Sequence, residues 1–126
     1  LLGLIFALLL WCTALAGCAS TVRIGSPQHS CSPGFAPSNE YGRITAQQRG
    51  QGGGVQWGVY PNVAAVRFVV DIWIDKRRFD HKDQDYPPHG SVPASAIGSG
   101  DLFRLEGQAF NARGDVGMFF LTCKAA

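Results

Sequence analysis

The run VAAVRFVVDIWID, residues 63–75, alternates apolar and mixed positions with a period of two. Val66, Phe68, Val70, Ile72 and Ile74 share one face, and Arg67, Val69, Asp71, Trp73 and Asp75 share the other. Successive side chains of a β-strand point to opposite faces, so this pattern predicts a strand with one face in a core. The abundance of β-branched and aromatic residues strengthens that prediction.

The rest of the chain after residue 40 reads as strand and turn. YGRITAQQ, 41–48, predicts a strand with Ile44 and Ala46 amid polar neighbours. RGQGGG, 49–54, predicts a flexible turn, because each Gly costs a helix about 1 kcal/mol. VQWGVY, 55–60, puts Val55, Trp57 and Val59 on one face, and Pro61-Asn62 breaks it. After a turn at Asp75-Lys76-Arg77, RRFDHKDQ pairs back as a polar strand. Residues 85–101 read as a long loop of Pro, Gly and Ser. LFRLEGQAF, 102–110, turns Phe103, Leu105 and Ala109 inward, NARGD makes a turn, and VGMFFLTCK, 116–124, is an almost wholly apolar strand. The fold class expected is all-β, a small barrel or sandwich of about six antiparallel strands.

The opening LLGLIFALLLWCTALAG, residues 1–17, carries no charge, and the first charged residue of the chain is Arg23. It reads as the apolar region of an export signal entered part-way, without a basic segment before it. Leu15-Ala16-Gly17-Cys18 follows directly and resembles the lipobox of bacterial lipoproteins. That resemblance implies a diacylglycerol on the Cys18 thiol and cleavage before it. Acyl chains hold a protein to a bilayer by ~0.8 kcal/mol per buried CH₂. In that family an Asp after the Cys favours inner-membrane retention; Ala19 and Ser20 stand here, which implies the outer membrane. Residues 1–17 are therefore expected to be a signal, 18–40 an anchor and disordered tether rich in Ser, Pro and Gly, and 41–126 the β-domain.

Export gives the cysteines a meaning. Cys12 would leave with the signal and Cys18 would carry lipid, so Cys31 and Cys123 remain as an even pair in an oxidising compartment. A disulfide between them would close a loop of about 90 residues and stabilise the fold by ~4–5 kcal/mol through loop-closure entropy. No CxxC spacing suggests a cysteine metal site.

Eleven Lys and Arg against nine Asp and Glu give a net charge of +2, too small and too mixed for a nucleic-acid partner. The one segment with metal-ligand character is DHKDQDYPPHG, 80–90. His81, Asp83 and Asp85 would share one face of a strand, with His89 in the loop beyond, a donor set suited to Zn²⁺ or another divalent ion. The same charges also suit a solvated edge strand that resists pairing with other chains. No nucleophile elbow, SxxK or phosphate-loop pattern occurs, so no enzyme and no cofactor are expected. Arg113-Gly114-Asp115 spells RGD within a turn that favours such residues. Trp57 and Trp73 read as packing residues, either of which would mark a binding surface if exposed.

Two family resemblances follow from these residues. Tyr41-Gly42-Arg43-Ile44 and the run Gly100–Gly107, GDLFRLEG, flank an acid-rich strand, turn and strand. This resembles the SlyB-like glycine-zipper outer-membrane lipoproteins, with RGQGGG where that family has a long Gly-rich hairpin. It implies a small β module with a role in envelope maintenance. Separately, a lipid anchor, a small β-domain and a cysteine pair joining its start to its last strand resemble the membrane-bound inhibitors of c-type lysozyme. Ser99-Gly100 with Phe103 is similar to their inhibitory motif, which implies a loop inserted into a lysozyme cleft. That family's Lys-Gly pair has no counterpart here.

The expectation is a lipid-anchored, non-enzymatic envelope protein, its domain periplasmic or surface-exposed, with the membrane and an envelope protein as partners. A lysozyme inhibitor working through residues 91–103 and a metal-dependent periplasmic enzyme using His81, Asp83 and Asp85 are the alternatives.

Overall fold

The computed structural model of the protein describes residues 20–32, 38–39, 42–61, 64–114 and 116–126. Its strands are β1 (Ser20–Ser30), β2 (Ser38–Asn39), β3 (Gly42–Gln48), β4 (Val55–Pro61), β5 (Arg67–Ile74), β6 (Arg77–Gln84), β7 (His89–Val92), β8 (Leu102–Phe110) and β9 (Val116–Lys124). One short 3₁₀ turn, Ala94–Ala96, lies between β7 and β8. The strands form a five-stranded sheet, β1-β9-β8-β5-β6, and a four-stranded sheet, β2-β3-β4-β7. The all-β expectation holds, in its sandwich form.

Alternation builds the core. β5 buries Phe68, Val70, Ile72 and Ile74 and turns Arg67, Val69, Asp71 and Trp73 outward. β8 buries Phe103, Leu105 and Ala109, and β9 buries Phe119, Leu121 and Cys123. Across the sandwich, Ile44 and Ala46 of β3 and Val55, Trp57 and Val59 of β4 supply the other inner face. Side chains this size contribute about 1.5–3 kcal/mol each when fully buried, the main force holding two sheets together. Val66, predicted inward, is instead 53% exposed, because β5 begins at Arg67 and Val66 lies in the bend before it.

The chain alternates between sheets. β3 and β4 form a hairpin, β5 and β6 form one in the other sheet, and β7 returns to pair with β4. β8 then inserts between β5 and β9, antiparallel to both. The turn after β5 is fixed to β8 by Asp75, at φ 53°: its amide donates to the Leu102 carbonyl and its Oδ1 accepts from the Leu102 amide, both at 2.8 Å. Asp is among the few residues that tolerate this left-handed conformation.

Two expectations need correction. Ser20–Ser30 is not free tether but β1, parallel to β9 from Ser20↔Gly117 to Gly25↔Thr122 and again at Ser30↔Lys124. Without it β9 would be an edge strand of apolar sequence with unpaired backbone groups, which invites association. The short alternating stretch STVRI, submerged in a Ser- and Pro-rich context, was its signal. Residues 85–101 are likewise not all loop. The Pro88 carbonyl accepts from the Val59 amide at 3.0 Å, and β7 follows as a four-residue edge strand closed by Pro93. Proline is tolerated at such edges.

The predicted disulfide is present. Cys31 and Cys123, separated by 92 residues, are bonded with Cα atoms 5.0 Å apart, and both are fully buried. Cys31 is also where the two sheets meet: its amide donates to Lys124 of β9 at 2.9 Å and its carbonyl accepts from Gln48 of β3 at 3.0 Å.

Candidate functional site

Because alternate residues face inward, chemistry must be sought on the two outer sheet faces. On the five-stranded sheet, cross-strand register sets His81, Asp71, Glu106 and Phe120 in one row. Arg78, Trp73, Arg104 and Thr122 form the next. The charges compensate one another. His81 Nδ1 lies 2.7 Å from Asp71 Oδ1, and Arg78 approaches the same oxygen at 3.6 Å. Arg104 Nε is 3.1 Å from Glu106 Oε1, near enough for an ion pair but not aligned as a hydrogen bond, and its guanidinium stacks 5.1 Å from the Trp73 ring centroid. Asp83 accepts two hydrogen bonds from Arg67, at 2.9 and 2.7 Å. That pairing holds the Asp83 carboxyl below the usual carboxylate range. A shallow hollow of about 210 Å³ lies between Val69, Asp71, Glu106, Gln108, Met118 and Phe120.

This network changes the metal expectation. His81 and Asp83 do project from the same side of β6, as their spacing predicts, but Asp71 takes the first and Arg67 the second. Asp85 lies beyond the end of β6, and His89 is on the other sheet. Among the described residues no group of three or more His, Cys, Asp or Glu side chains is placed to hold a metal ion.

The predicted inhibitory triplet is also divided. Ser99 and Gly100 are exposed in a turn, where Gly100 adopts φ 87° and donates its amide to Ala125 at 2.8 Å. Phe103 is fully buried in β8, opposite Ile74 and Cys123. It is a core residue and cannot enter a partner's cleft. Sequence placed Phe103 both inward on its strand and in the inhibitory motif; burial decides for the first.

Trp57 is core at 3% exposure, and Trp73 is half-buried on the outer face. Of RGD, Arg113 and Gly114 belong to the β8–β9 turn, closed by Gly114 donating to Asn111 at 3.0 Å, and Asp115 is outside the described residues. Cys18 and residues 1–17, read above as a signal, also lie outside them.

The four-stranded sheet presents a different outer face. Its rows are Arg43 with Tyr60; Thr45, Gly58 and His89; and Gln47, Gln56 and Ser91. All but Thr45 and Gly58 are exposed. The Arg43 guanidinium lies 4.7 Å from the Tyr60 ring centroid. A hollow of about 200 Å³ opens beside Gln47, Arg49, Gln56, Ser91 and Pro93. Most of these residues are neutral and polar, without the charge or nucleophilic character by which a sequence marks a site. Their signal was the outward half of the same alternation that places Ile44, Ala46, Val55, Trp57 and Val59 inside.

Compared with models of known protein families and with curated proteins, the chain finds no match in either.

Proposed function

We propose that the protein is a lipid-anchored binding module of the bacterial cell envelope, with no enzymatic activity of its own. The observation that carries this reading is the pairing of Leu15-Ala16-Gly17-Cys18 with a buried Cys31–Cys123 disulfide in the domain that follows. The first would attach the chain to a membrane, and the second persists in compartments outside the reducing cytosol. The outer-sheet faces add support: they offer hollows and polar surface suited to holding a partner. The outer membrane is the proposed location, following Ala19 and Ser20 after the acylated cysteine.

Metabolic labelling with an alkyne-bearing fatty acid tests the anchor in bacteria expressing the full protein. The label should follow the wild-type chain into the membrane fraction and be lost with Cys18→Ser. An unlabelled wild-type protein recovered wholly in a soluble fraction would sink the reading.

A further inference from the structure

We infer that the outer face of the four-stranded sheet binds an acidic glycan, a sugar chain carrying carboxylates. The inference rests on the domain being a binding module and supplies its ligand class; it does not depend on the anchor.

Charge is segregated between the sheets. Every described Asp and Glu lies on β5, β6 or β8 or in the turns beside them. On that sheet Arg67, Arg78 and Arg104 each face a carboxylate. Arg43 and Arg49, on and beside β3, face none among the described residues. A surface with exposed cations and no described acid raises the local concentration of anionic ligands.

The polar groups between those cations suit hydroxyl-rich ligands. Gln47 and Gln56 are directly opposed across β3 and β4, and Ser91 stands next to Gln56 on β7. Each amide both donates and accepts, as does each hydroxyl, which matches the dual character of a sugar hydroxyl. The hollow they border, about 200 Å³, is smaller than the usual ~300–1,000 Å³ of an enclosed small-molecule pocket. An open face of this kind suits a chain that lies across the strands unit by unit.

Tyr60 supplies a platform. A Cβ added at Gly58 would meet Tyr60 Oη at 2.8 Å and Cε2 at 2.9 Å, so the ring lies along the sheet over that glycine. It remains 44% exposed, with the Arg43 guanidinium over one part of the ring, 4.7 Å from its centroid, so that a sugar would meet the ring and the cation together. An amphipathic ring can pack on the C–H face of a sugar, while a guanidinium can take a carboxylate with two parallel hydrogen bonds. A lipid surface would call for several protruding apolar residues, and among the described residues Tyr60 is the one large exposed hydrophobic on this face.

The test is calorimetric titration of the full-length protein in detergent. The probes are hyaluronan and oligogalacturonate oligosaccharides, with neutral chitin oligosaccharides of equal length for comparison. Carboxylated chains should bind roughly tenfold tighter than neutral ones, and Tyr60→Ala and Gln56→Ala should each weaken binding roughly tenfold, as loss of a central contact does. Tyr60→Phe should retain most of the affinity, Arg43→Gln should abolish the preference for carboxylates, and Glu106→Gln on the opposite face should change nothing. Circular dichroism confirms that each variant is folded. Absence of binding by the folded protein overturns the inference, as does binding that the Tyr60 and Gln56 variants leave intact. Retention of the unacylated Cys18→Ser protein on phosphatidylglycerol vesicles that no glycan competes away also overturns it. Failure here with acylation of Cys18 intact would remove the ligand class and leave the anchored module.

Discussion

Gln48 holds Ala126 by its backbone: the side-chain Oε1 accepts from the Ala126 amide at 2.7 Å, and Nε2 reaches the Ala126 carbonyl at 3.5 Å. Nε2 also donates to the Gly53 carbonyl at 2.9 Å. Gln48 is 1% exposed, the one polar side chain among the buried residues described, and it ties the β3–β4 turn to the segment after β9.

Gln48→Leu keeps the bulk but leaves the Ala126 amide and Gly53 carbonyl without these partners. Unsatisfied buried backbone groups cost about 1–3 kcal/mol, so urea unfolding should show a loss in that range. An unchanged midpoint would mean that water reaches these groups freely.

Reduction of Cys31–Cys123, or its replacement by two serines, should destabilise the domain by ~2–5 kcal/mol, the usual loss when a small domain gives up a native disulfide. The comparison is thermal unfolding with and without reductant. Because Cys31 also carries the backbone bonds between β9 and β3, its loss should loosen both sheets at that end.

Phe103→Ala and Ser99→Ala separate a core role from a surface one. Phe103 is fully buried, so its truncation should cost about 3–5 kcal/mol. Ser99 is exposed, and its replacement should stay within about ±0.5 kcal/mol. Chemical denaturation of both variants checks this; a Phe103→Ala protein of wild-type stability would contradict its place in the core.

Asp83 sets a small acid-side dependence. Hydrogen bonding from Arg67 lowers its folded-state pKa below the unfolded value. The contribution is therefore fully present above the ordinary carboxylate range and is lost as pH falls from that value through the lower folded one. The pair is solvent-exposed, so the effect should be modest and weaken in high salt. Stability measured against pH should show a shallower acid slope in Arg67→Gln than in the wild type.

Much of this fold was legible because its strands are amphipathic with period two. Phe68 through Ile74 and Val55 through Val59 each announced both a strand and its buried face. β1 was not legible, since its pairing with β9 is a contact between opposite ends of the chain and Ser-Pro-Gly composition suggests a tether. β7 was hidden for a related reason: four residues between prolines carry too few positions to show a period. The disulfide could be read by counting cysteines, whereas the partners of His81 and Asp83 depend on which strand lies alongside β6. Gln47, Gln56 and Tyr60 acquire meaning only when β3, β4 and β7 are aligned.

The parallel placement of β1 against β9 has a mechanical consequence. With lipid on Cys18, a single residue would separate the anchor from Ser20, so the domain would stand close to the bilayer rather than sway on a leash. β1 runs alongside Gly117 to Lys124 of β9, seven steps of ~3.3 Å, which puts the Cys31 pole about 23 Å farther out. A tug on the membrane would run along β1 and load its rungs to β9 in shear, all sharing the strain, instead of peeling them one at a time. Were β1 to slip, the covalent link at Cys31 would arrest it. Pulling from residue 18 in a force spectrometer should give one high-force rupture, and a series of low-force steps would show peeling instead.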